Sequence, residues 1–226
     1  WKGAYSVLRF AAGPVFTPGS ANYWHALADD SNGDDDLGGS APLVVDAPAI
    51  TPPHLLVQLG KDGYAYVVDR TNMGGETSPL AAVHVMNDEI SNVPAWATAA
   101  SGTYVAMVGN NGGAGTGCMT GSGALTVIKL SSSAQITVPW CANNKGGGSP
   151  SITSSDGSAD MLVWTVGTDA AGGGSDGQIH AWDLETGAPV VTGSDVMMNT
   201  RHFTTPIFVH GRAIVVGDGR VYALKP

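Results

Sequence analysis

The chain has 226 residues, with 19 Asp and Glu against 10 Lys and Arg and a formal net charge of −9. Charged residues make up only 13% and hydrophobic ones 43%, the reverse of a disordered acidic chain, and clustered cations for nucleic-acid binding are missing. Thirty-two glycines, costly inside helices and useful in tight turns, point to an all-β fold.

In chain order, the first element is a short strand, Tyr5-Ser-Val-Leu-Arg-Phe10, which has no obvious sheet of its own. An acidic segment follows, from Asp29 to Asp36. A proline-marked strand comes next, Ala41-Pro42-Leu-Val-Val45, and then two strands of recurring pattern. The earlier of the two is apolar and closes on Gly, as in Leu55-Leu-Val-Gln-Leu-Gly60. The later one opens on Gly and ends on a polar residue, as in Gly63-Tyr-Ala-Tyr-Val-Val-Asp69. A fourth strand spans Leu80 to Met86.

The same order returns three times. Val93-Pro94-Ala-Trp96 leads to Tyr104–Gly109, Gly123–Lys129 and a fourth strand from Gln135 to Trp140. Ser149-Pro150-Ser-Ile152 leads to Leu162–Gly167, Gly177–Asp183 and a fourth strand from Ala188 to Thr192. Thr205-Pro206-Ile-Phe-Val209 leads to Ala213–Gly217 and Gly219–Lys225, where the repeat stops. The prolines stand 52, 56 and 56 residues apart. Four strands in about 50 residues is the period of a propeller blade, whose sheet buries both faces. The expected architecture is an all-β propeller of four-stranded blades at 41–86, 93–140, 149–192 and 205–226, the last completed by strand 5–10. Two arrangements stay open: a closed four-bladed ring, or half of a ring of about eight blades. The second needs an identical chain or a missing N-terminal half.

No basic start with an apolar core marks a signal peptide, and no apolar run nears the roughly 18 residues that cross a bilayer. The chain reads as a mature product or a piece of a longer protein, and its composition fits a secreted or periplasmic one. Cys118 and Cys141 form a disulfide in an exported protein, or stay as two buried thiols.

Gly177-Gln-Ile-His-Ala-Trp-Asp183-Leu-Glu-Thr186-Gly187 resembles the repeat signature of the pyrroloquinoline-quinone-like (PQQ-like) β-propeller family. Lys61–Arg70 and Asp218–Leu224 are similar to it, and the Met107–Trp140 stretch is a weaker match, lacking Thr-Gly after Lys129. The resemblance covers nearly the whole chain. It implies that Trp140 and Trp182 pack between blades. In the turn, Asp183 and Thr186 bond the backbone and Gly187 takes a positive φ. The family includes quinone-dependent alcohol and sugar dehydrogenases and non-catalytic scaffolds, so fold does not decide function. The adjacent cysteines of the alcohol-oxidising branch have no counterpart, and no Asp or Glu stands in a recognisable catalytic context.

Among candidate ligand groups, Asp30, Asn32, Asp34 and Asp36 alternate around Gly33 and offer hard oxygens that suit Ca²⁺. The alternative is a solvated acidic loop. The six histidines, His25, His54, His84, His180, His202 and His210, lack metal-ligand spacing. Arg201 and His202 by default fill a satisfied core or surface role, with an anion held in the channel as the alternative, while Tyr23 and Trp24 could stack on a glycan. Asn110–Gly117, Gly146–Gly148 and Gly172–Gly174 read as flexible connections, not phosphate loops. The expected function is a non-catalytic secreted or periplasmic binding module or scaffold with a glycan or protein ligand. The alternative is part of a PQQ-dependent dehydrogenase.

Overall fold

The computed structural model describes residues 5–26, 37, 39–86, 93–109, 124–168, 176–193 and 195–225. All regular structure in these residues is β apart from one short 3-10 turn, Ser20–Asn22. The N-terminal strands β1 (Ser6–Leu8) and β2 (Tyr23–His25) form a two-stranded layer. The first four-stranded sheet holds β3 (Leu43–Asp46), β4 (His54–Leu59), β5 (Tyr64–Asp69) and β6 (Ala81–His84). The second holds β7 (Ala95–Ala99), β8 (Gly102–Gly109), β9 (Ala124–Leu130) and β10 (Ile136–Asn143). The third holds β11 (Ser151–Thr153), β12 (Leu162–Val166), β13 (Ile179–Asp183) and β14 (Pro189–Thr192). The fourth has three strands, β15 (Ile207–Val209), β16 (Arg212–Gly217) and β17 (Arg220–Leu224). Every sheet is an antiparallel meander in chain order.

Pro42, Pro94, Pro150 and Pro206 each stand immediately before the first strand of a sheet. There the missing N–H interrupts no ladder.

The sheets stack face to face in order, because successive strand residues point to opposite faces. Leu55, Val57 and Leu59 of β4 meet Val105 and Met107 of β8 and Ile128 of β9. The alternate residues of the second sheet, Tyr104, Ala106, Val108, Leu125 and Val127, meet Val163 and Trp182 of the third. The third sheet's other face, with Trp164, Val166 and Ala181, meets Ala213 and Val215 of the fourth. Interior strands therefore bury both faces, and the run Tyr104–Gly109 is buried throughout.

The N-terminal strand departs from expectation. β1 does not complete the fourth sheet; it pairs with β2, Val7 opposite Trp24. The layer covers the first sheet's remaining face, where Trp24 packs with Leu56, Tyr66 and Val68. Arg9 fastens it, donating from Nη1 to the carbonyls of Arg70 and Thr71 at 2.8 Å each. Ser6 and His25 are only nineteen residues apart, so this closure is entropically far cheaper than one spanning the whole chain. Among the described residues no strand pairs with the second edge of β17, and no pairing closes the array into a ring.

The turn after β13 is built as the resemblance implies. Asp183 Oδ1 accepts from Thr186 N at 2.8 Å and from Thr186 Oγ1 at 2.6 Å, and Gly187 holds a φ of 72°. Trp140 lies over this turn, and its indole N–H donates to Leu184 O at 2.8 Å. A β-carbon on Gly187 would stand 2.6 Å from the Trp140 ring. Gly187→Ala therefore combines left-handed strain with a displaced tryptophan, and should lower stability by about 2–4 kcal/mol. Urea unfolding of the variant checks this; an unchanged midpoint would show that Trp140 does not depend on the bare turn.

Candidate functional site

The N-terminal layer and the first sheet enclose an open cavity of about 420 Å³. β1 supplies one side through Ser6, Val7 and Leu8. Leu37, Ser40 and Pro42, leading into β3, supply another, and Gln58 of β4 forms the floor. Its size is that of a pocket for a small ligand or a few peptide residues.

Gln58 interrupts an apolar strand and is 1% exposed. Its amide nitrogen lies 2.7 Å from Leu59 O, 3.2 Å from Leu37 O and 3.1 Å from Ser40 Oγ. Ser40 Oγ in turn donates to Leu59 O at 2.8 Å. Two of the three partners are carbonyls that only accept, so the amide orientation is fixed with nitrogen toward them. No hydrogen bond from a described residue reaches Gln58 Oε1, and Gln58 lines the cavity. The site thus presents a preorganised acceptor amid apolar walls. Tyr5, at its mouth, holds a φ of 57°, a left-handed conformation that costs about 1 kcal/mol or more in a non-glycine residue.

The calcium candidates Asp30, Asn32, Asp34 and Asp36 lie outside the described residues, between β2 and Leu37. Leu37 and Ser40, at the end of that connection, are buried and structural. Cys141 lies on β10, while Cys118, its expected partner, is outside the described residues, as are Asn110–Gly117 and Gly172–Gly174. Among the described residues no group of three His, Cys, Asp or Glu side chains is placed to hold a metal ion.

Two expectations are corrected, and one pair of residues falls to its default role. Trp24 is not an exposed loop aromatic for glycan stacking: it lies on β2 with 0% exposure, 5.1 Å from the Tyr66 ring centroid. Arg201 and His202 take the default satisfied role and not the alternative one around an anion. Arg201 Nε donates to Asp218 Oδ1 at 3.0 Å, while the His202 ring rests on Phe203 at 4.1 Å between centroids and against Gly147. Gly146–Gly148 are not a loose connection either. They are buried, and a β-carbon on Gly146 would fall 2.3 Å from Thr168 N, so two backbones meet there with no room for a side chain.

The remaining polar pairs serve the frame. His180 Nε2 lies 2.9 Å from Asp176 Oδ2, beside the glycine at 167. Asp46 has its pKa held below the ordinary aspartate value, first by the His54 hydrogen bond at 2.7 Å and then by Arg70. Asp218 is lowered by its Arg201 hydrogen bonds.

Gln58 is not singled out by any sequence motif, whereas the Leu37–Ser40 run reads as structural. The available signal was one polar residue inside the apolar run Leu55–Leu59. Gln58→Leu keeps the volume but leaves Leu37 O and Ser40 Oγ without their donor, which should lower stability by about 1–3 kcal/mol. Thermal unfolding of wild type and variant checks this. A variant as stable as the wild type would show the cavity floor to be indifferent to polarity.

No protein-family model matches the chain, and no curated protein matches it. Several solved structures are similar to it. BamB from Moraxella catarrhalis has 18% identity and a TM-score of 0.49, over 86% of this chain and 48% of its own. The Cps50 (Swd1) β-propeller domain from Myceliophteria thermophila has 10% identity and a TM-score of 0.47, over 80% of this chain and 53% of its own. The Dos1 propeller has 13% identity and a TM-score of 0.45, over 97% of this chain and 62% of its own. The chain thus matches about half the length of the first two. At these values the architecture rests on the strand pairing and stacking described above, and nothing about ligand or activity passes from these proteins.

Proposed function

We propose that the protein is a non-catalytic, exported binding module whose ligand enters the cavity between the N-terminal layer and the first sheet. The observation that supports this is Gln58. A buried amide is held by three partners so that its carbonyl oxygen is left for something in the cavity. Burying that oxygen unpaired would be costly, so the matching ligand carries an N–H or O–H donor beside an apolar body. Backbone amides of an apolar peptide and hydroxyls of a glycan both have that chemistry.

Two panels distinguish them: N-acetyl amino-acid amides with apolar side chains, and methyl glycosides. The expected result is that one panel shifts the Gln58 side-chain amide signal in NMR spectra, and that Gln58→Leu abolishes the binding. If neither panel perturbs the cavity residues, the reading fails. A second arm addresses catalysis. Incubation with pyrroloquinoline quinone and Ca²⁺ should give no dye reduction with alcohols or aldoses, and sustained reduction would make the chain part of a dehydrogenase instead.

A further inference from the structure

The turn that joins the third sheet to the fourth carries an aromatic residue in a conformation that favours glycine. Thr204 N donates to Arg201 O at 3.0 Å and closes a four-residue turn. Phe203 fills its third position with a φ of 70°. That is the left-handed region, where a turn ordinarily takes Gly or Asn and a bulky side chain is an outlier. Burial does not offset this strain, because Phe203 is 52% exposed.

The mount beneath the ring is rigid. Phe203 N donates to Gly147 O at 3.1 Å, and Ser149 N donates to Thr204 O at 3.1 Å. Gly147 is buried, and its own N–H donates to Thr168 Oγ1 at 2.8 Å. A β-carbon on Gly147 would stand 3.0–3.1 Å from the His202 ring, so the bare backbone makes room for that imidazole. The imidazole in turn lies 4.1 Å from the Phe203 ring, centroid to centroid. Backbone, imidazole and phenyl thus form a layered support that holds an aromatic ring in solvent, and strained residues of this kind gather at ligand sites.

The polar groups beside the ring indicate the ligand. Arg201 opens the turn and grips both oxygens of Asp218, Nε to Oδ1 at 3.0 Å and Nη2 to Oδ2. Both side chains are at least half exposed. Together they are neutral, and they offer guanidinium donors and carboxylate acceptors. A charged ligand meets both signs at once. A wholly apolar ligand would strip water from the ion pair and return nothing to it. A neutral polyhydroxylated ring suits the set: its C–H face packs on the phenyl, and its hydroxyls both donate and accept.

We infer that Phe203 is the stacking face of a saccharide site, with Arg201 and Asp218 meeting the ring hydroxyls. The site is separate from the Gln58 cavity and does not rest on it.

The probes are the methyl glycosides of glucose, galactose, mannose and N-acetylglucosamine, titrated into the whole isotope-labelled protein. At least one should shift the Phe203 and Thr204 amide signals saturably. Phe203→Gly should weaken that binding by about tenfold or more, while its melting temperature matches or exceeds the wild-type value because the strain is gone. Phe203→Trp keeps an aromatic face and should retain binding. Gln58→Leu should leave these shifts unchanged. The inference is overturned if no glycoside moves the two signals, or if Phe203→Gly binds as tightly as wild type. A lower melting temperature for Phe203→Gly would also overturn it, because the ring would then be a packing element. So would shifts confined to the Gln58 amide, which would leave the cavity reading standing alone.

Discussion

Burial on both faces of the first three sheets is the constraint on which this structure depends. A strand such as β8, buried along nearly its whole length, presents apolar side chains in both directions and cannot be satisfied by one neighbour. Each of these sheets therefore takes a neighbour on either side. The outcome is a stack in which Val57 faces one partner and Leu56 the other. Stability is then distributed over interfaces between neighbours, as in repeat proteins, and the functional features appear where that regularity is interrupted.

Two interruptions matter. At the N-terminal end the stack is finished by a two-stranded layer narrower than a full sheet. Because it is narrower, it leaves a space over β4, and the residue pointing into that space is Gln58 in place of another aliphatic. At the other end the fourth sheet covers one face of the third but has one apolar face and one strand edge without a described partner. The cavity thus lies where a full sheet gives way to a narrower layer.

Much of the fold was legible in the sequence, because its determinants are local. The four prolines marked first strands since only an element's start tolerates the missing donor. Gly187, Asp183 and Thr186 marked a turn whose hydrogen bonds close within five residues. The place of the N-terminal strand was not legible. Its pairing with Tyr23–His25 depends on Trp24 finding the pocket formed by Leu56, Tyr66 and Val68, a match between distant segments that no periodicity records. The candidate site was hidden for the same reason. Gln58 is one letter in an apolar run, and only the convergence of Leu37, Ser40 and Leu59 around its amide gives it meaning. Gly146–Gly148 misled because glycine signals equally a loose loop and a point where two backbones touch.

The two-stranded layer seals one face of the described stack. An array that is open at both ends can propagate, each copy offering a new surface to the next. Here the N-terminal layer occupies the face through which propagation would continue, with Trp24 wholly enclosed. Association through that face would first require Trp24 to leave its pocket among Leu56, Tyr66 and Val68, so the layer shields the first sheet from the contacts that a bare apolar face invites.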